Sequence, residues 1–103
     1  GLLFEDLLVA LRQAALAAEA RRFEIKSARV TRALSILFAL EASLDFSRGG
    51  DLAGTLSRVY RGAREQVARA GVVNDPAMLR AVGEQLTEIA DAWRQIGDAA
   101  QAS

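Results

Sequence analysis

From Leu3 to Ile96, apolar residues return at steps of three and four, and only short polar or glycine-bearing stretches interrupt them. A stripe of that period runs along one side of an α-helix and has to be buried against another element. Runs that alternate with a period of two, as half-buried strands require, are few, and the chain has one proline. Long alanine- and leucine-rich stretches add intrinsic helix preference. The pattern predicts an all-α chain of four helices.

The first helix is expected over about residues 2–20, with Leu3/Phe4, Leu7/Leu8, Leu11, Ala14/Ala15 and Ala18 on its stripe. Arg21-Arg22-Phe23-Glu24 forms the first break. The second, about residues 25–46, carries Val30, Ala33, Leu34, Leu37, Leu40 and Leu44. Ser47-Arg48-Gly49-Gly50 is expected to stop it, because glycine supplies the positive φ of a helix exit. Asp51 is then placed to cap the third helix, about residues 51–70, with Leu52, Leu56, Val59/Tyr60, Ala63 and Val67, and Gly71 reads as its C-terminal cap. Asn74-Asp75-Pro76 predicts the start of the fourth, a polar cap followed by proline at the first helical position. That helix, about residues 76–96, has the heptad seam Leu79, Val82, Leu86, Ile89, Trp93 and Ile96, and the tail from Gly97 is expected to fray. Connections of a few residues make successive helices antiparallel, so one up-down-up-down four-helix bundle over residues 1–103 is the expected domain. Leu37, Leu56, Tyr60, Leu86, Ile89 and Trp93 are its expected core.

Composition narrows the function. Histidine and cysteine are both absent, which removes the commonest general base, the thiolate nucleophile and most transition-metal ligands. Ser27, Ser35, Ser43 and Thr55 therefore have no activating partner of the usual kind. The chain is not expected to be an enzyme or to hold a cofactor. Thirteen basic and 13 acidic residues cancel, which argues against nucleic-acid binding, and the densest apolar run, Leu7 to Leu11, is too short to cross a bilayer. The lack of cysteine fits a reducing cytoplasm. Glu84, Glu88 and Asp91 form an acidic ridge opposite the fourth helix's seam, which reads as a solvated face rather than a cation site. Arg21, Arg22, Lys26, Arg29 and Arg32 cluster at the start of the second helix, either as solvated surface or as a dock for an acidic partner.

The second helix is the unusual one. At 100° per residue, Ile36 and Phe38 fall on opposite shoulders of the stripe centred on Leu37, so its apolar arc reaches roughly 200°, wider than a bundle helix needs. Such a helix either packs on both sides within the fold or lends one shoulder to a partner helix. Composition leaves both open.

With the helices placed, the sequence resembles the flagellin-specific export chaperones of the FliS family. The residues that carry the resemblance are Ala42-Ser43-Leu44-Asp45, Gly49-Gly50-Asp51-Leu52-Ala53, Leu56 with Val59-Tyr60, Ala70, Asn74-Asp75-Pro76, and Ile89-Ala90-Asp91-Ala92-Trp93-Arg94-Gln95-Ile96. Leu3-Phe4-Glu5 stands where the family has a leucine–tyrosine–aspartate start. The resemblance implies a cytoplasmic helical bundle that binds the disordered C-terminal segment of flagellin, prevents its premature polymerisation and presents it to the type III export gate. It makes Ile36, Phe38, Leu34 and Leu40 the candidate client contacts. The family's tyrosine-bearing N-terminal segment has no counterpart here, and the usual leucine–tyrosine pair of the third helix is Val59-Tyr60. A structural or oligomerisation module built on the fourth-helix heptad is the competing reading, and the sequence leaves the oligomeric state open.

Overall fold

The computed structural model describes the backbone of residues 2–102 and the side chains of residues 2–94. Four helices, α1 (Leu2–Glu19), α2 (Phe23–Ala42), α3 (Phe46–Val73) and α4 (Pro76–Ala102), follow one another with two- or three-residue connections. α1 packs on α2 and α4, and α3 closes the ring by packing on the same two helices. The result is the antiparallel four-helix bundle that the apolar stripes predict. Leu7 and Leu11 of α1, Ile36 and Leu37 of α2, Val67 of α3, and Leu79, Val82 and Leu86 of α4 are almost completely buried at its centre. Burying a side chain of this kind contributes roughly 1.5–3 kcal/mol.

The helix ends follow from local hydrogen bonding. α1 stops because Arg21 turns left-handed (φ 57°), letting the Arg22 and Arg21 amides donate to the Ala17 and Ala18 carbonyls at 2.9 and 3.2 Å. This is the Schellman closure that glycine usually makes. Asn74 (φ 56°) does the same for α3, with the Asp75 amide donating to the Ala70 carbonyl at 2.9 Å. Asp75 caps α4 by accepting from the Met78 amide at 3.0 Å, with Pro76 in the first turn, as its sequence signal predicts.

Three boundaries differ from the sequence expectation. α2 ends at Ala42 rather than near Phe46, and α3 begins at Phe46, before the glycine pair. The Asp45 carboxylate takes the amides of Ser47 (3.1 Å) and Arg48 (3.2 Å) and the Ser47 hydroxyl (2.6 Å), so it caps α3 in place of Asp51. The glycines then lie inside α3. Gly50 has φ 52° and ψ −127° and kinks the helix, whereas Gly49 keeps a negative φ. Gly71 is not a cap either. α3 runs past it, and a Cβ there would come within 3.2 Å of Val30 Cγ1, so this glycine permits close packing of α3 on α2. α4 continues helically beyond residue 96, and the side chain of Ile96 lies outside the described residues.

Trp93, expected as a core anchor, is 42% exposed. Its indole borders a cleft of about 320 Å³ with Phe4, Leu56, Tyr60 and Ile89. Leu37 and Leu86 are buried, while Leu56, Tyr60 and Ile89 are half-buried.

Two outcomes follow for stability. Removing the cap with Asp45→Ala should cost about 1 kcal/mol, and Asp51→Ala should stay within about 0.5 kcal/mol of the parent in urea unfolding. Leu86→Ala should cost on the order of 2–5 kcal/mol, and Trp93→Ala clearly less, because much of the indole is already in water.

Candidate functional site

α2 separates its two shoulders. Ile36 is 1% exposed and faces the core, while Phe38 is 64% exposed. Leu34 and Leu40 are both half-buried against the core, but only Leu34 joins Phe38 at a surface groove. That groove, about 590 Å³, lies between α2 and α3 and is lined by Leu34, Ser35, Phe38, Arg64, Glu65 and Ala68. It continues toward Val30, Thr31, Gly71 and Val72 through a further space of about 280 Å³ that shares Leu34 and Ala68. From Ser27 to Phe38 the lining of α2 covers about three helical turns, roughly 16 Å. Val72, 86% exposed, borders the far end.

Polar contacts fasten both ends of the α2–α3 seam. At one end Lys26, only 7% exposed, donates from Nζ to the Gly71 carbonyl at 2.8 Å, where the last turn of α3 presents unpaired carbonyls to a cation. The ammonium also lies 5.0 Å from the centre of the Phe23 ring. Lys26 is therefore a structural contact within the fold, and Arg32 is likewise engaged, 3.6 Å from Asp6. The basic cluster of the sequence is divided among separate contacts.

At the other end Glu41 accepts from the buried Ser57 hydroxyl at 2.8 Å, from Arg61 Nε at 2.8 Å and from Arg64. These three hydrogen bonds, Ser57 first, followed by Arg61 and Arg64, hold its carboxyl at a pKa of about 2, well below the ordinary 4.5. The Arg64 guanidinium also lies over the Phe38 ring, 5.6 Å from its centre, so the network reaches the edge of the groove. Partners 16 to 23 residues away assemble this cluster, and no local spacing in the sequence announces it.

A second groove, about 580 Å³, lies between α1 and α4, with Leu8, Leu11, Leu79 and Gly83 at its floor and Arg12, Arg80, Glu84 and Glu88 at its rim. Its leucines already belong largely to the core, Leu11 at 2% and Leu79 at 0% exposure. It therefore presents no outward aromatic ring of the kind that Phe38 provides. Among the described residues no group of three acidic side chains is arranged to hold a metal ion, and no helix is long and apolar enough to cross a membrane.

Residues 1–100 match the family model described as flagellar protein FliS. The chain belongs to the FliS family. It is 39% identical over 72 residues to the flagellar secretion chaperone FliS of Vibrio cholerae, covering 70% of this chain and 53% of that protein. It is 34% identical to flagellar secretion chaperone FliSB of Pseudomonas aeruginosa, covering 89% of this chain and 73% of the relative. To the flagellar secretion chaperone FliS of Salmonella typhimurium it is 32% identical, with 92% and 71% covered. The chain thus spans about half to seven-tenths of these relatives. All three relatives are named flagellar secretion chaperones.

The Glu41 network gives this FliS-family bundle a defined pH response. A carboxyl whose folded pKa is depressed adds stability above its unfolded pKa, and that stability is lost as pH falls through the folded value. Glu41→Gln should therefore melt below the parent at neutral pH. The gap should close as pH drops from about 4.5 toward about 2, as followed by thermal melting across that range.

Proposed function

We propose that this chain is a cytoplasmic flagellar secretion chaperone that holds the C-terminal segment of flagellin as an amphipathic helix in the α2–α3 groove. By occupying that segment it prevents premature polymerisation, and it presents the bound subunit to the type III export gate. The observation that carries the reading is the outward Phe38, a large apolar ring on a helix whose other shoulder is fully used in the core. A disordered client loses conformational entropy when it orders on its chaperone, so it needs a long apolar contact to compensate. A groove about three turns long, with a fixed aromatic at one end, supplies one. Membership of the FliS family, with relatives named flagellar secretion chaperones, supports the choice of flagellin as client.

The competing oligomerisation module loses its main support in the same geometry. Of its heptad residues, Leu79, Val82 and Leu86 are 0–2% exposed and turned into the bundle's own core, Ile89 is half-buried and Trp93 is 42% exposed, so the first half of the seam is not free to zip to another chain.

Calorimetric titration of the protein with a flagellin C-terminal peptide tests the proposal. Phe38→Asp should leave the helical circular dichroism intact and weaken binding by about ten- to a hundredfold, the equivalent of losing roughly 1.5–3 kcal/mol of ring burial. The parent titration should show a negative heat-capacity change. Ile36→Asp should instead unfold the bundle. Unchanged affinity in a folded Phe38→Asp variant would place the client elsewhere, and a parent that ignores the peptide would contradict the chaperone reading.

A further inference from the structure

The overall neutrality of the chain conceals a division of charge. Residues 20–74, which contain α2 and α3, hold ten of the 13 basic residues and five of the 13 acidic ones. The remainder, which contains α1 and α4, holds three basic and eight acidic residues. Because the helices pair as α2 with α3 and α1 with α4, the bundle has a basic side and an acidic side. Each side carries a groove.

The rims differ in charge as well. Along the α2–α3 groove, the α2 edge bears Ser27, Thr31 and Ser35 together with Lys26, whose ammonium is held by the Gly71 carbonyl. The α3 edge bears Arg64 together with Glu65, and Arg61 reaches across the seam beside Arg64. Those two guanidiniums share the single carboxylate of Glu41, leaving a surplus of positive charge next to Phe38. Arg58 and Arg69 are exposed on the same helix, and neither has an ion-pair partner among the described residues. At the α1–α4 groove the rim is mixed: Glu84 and Glu88 stand with Arg12 and with Arg80, which is paired to Glu19, so no surplus of positive charge arises there.

We infer that the α2–α3 groove selects an amphipathic helix whose apolar stripe is bordered by carboxylates. The inference rests on the α2–α3 groove being the client site and adds the charge of the segment it takes. Apolar contact alone does not choose between the two grooves, whereas a surplus of opposite charge on one rim and a mixed rim on the other does. Rim charges of this kind act over about 8 Å at physiological salt, so they guide the encounter and fix which face is used.

Two synthetic peptides with the same leucine stripe, one flanked by glutamates and one by lysines, separate the possibilities by calorimetric titration. The glutamate peptide should bind the parent at least tenfold more tightly at low salt, with the gap narrowing as salt is raised. The double variant Arg58→Glu/Arg69→Glu, which leaves the Glu41 network intact, should erase or invert that preference. Equal affinity for the two peptides, or a preference that survives the charge reversal, would overturn the inference. Phe38→Asp tells this apart from failure of the groove itself. If it abolishes binding of two equally bound peptides, the groove stands and the charge selection falls. If it changes the binding of neither, the groove assignment falls, and the charge inference with it.

Discussion

The close contact between α1 and α2 sets the rest of the bundle. Five of the seven buried residues of α1 are alanines, Ala10, Ala14, Ala15, Ala17 and Ala18, and α2 answers with Ala33. Small side chains let two helix axes approach, since interaxial distance follows the size of the residues at the contact. With Val30, Ala33, Ile36 and Leu37 of α2 buried in the core, the rotation of the helix is fixed and Phe38 points outward. The exposed aromatic is a consequence of packing on the opposite shoulder, and the groove beside it is a consequence of where α3 then lies.

The α2–α3 seam is held differently from the α1–α2 seam. Polar ties mark its ends, Lys26 to the Gly71 carbonyl at one and Glu41 to Ser57, Arg61 and Arg64 at the other. Between them the surface is left to Leu34, Ala68 and small polar residues. Gly71 contributes twice, by admitting Val30 into close contact and by offering its carbonyl to Lys26. A groove framed in this way keeps its walls fixed while its floor remains apolar, which lowers the ordering cost that the chaperone itself would otherwise add to binding.

What the sequence made legible was whatever rests on local spacing. Stripes of three and four gave the four helices and the core positions Leu37 and Leu86, and Asp75-Pro76 marked the start of α4. The 200° arc of α2 pointed to two shoulders, although it could not say that Ile36 would face inward and Phe38 outward. The glycine pair misled because glycine marks positive φ without saying which side of a helix start it serves. Asp45, followed by Ser47, nucleates α3 five residues upstream of Gly50. Trp93 was read as core from its register, but register does not reveal whether neighbouring helices close over a position. The Glu41 network and the division of charge between two sides needed the tertiary pairing of helices, which no single segment contains.

The proposed function requires a client helix to lie between α2 and α3. Titrating an isotope-labelled sample with a flagellin C-terminal peptide and following backbone amide shifts tests this directly. Perturbations should concentrate at Leu34, Ser35, Phe38, Ala68 and Val72, with Leu8, Gly83 and Thr87 unmoved. Shifts concentrated at Leu8, Gly83 and Thr87 instead would place the client on the α1–α4 side and contradict it.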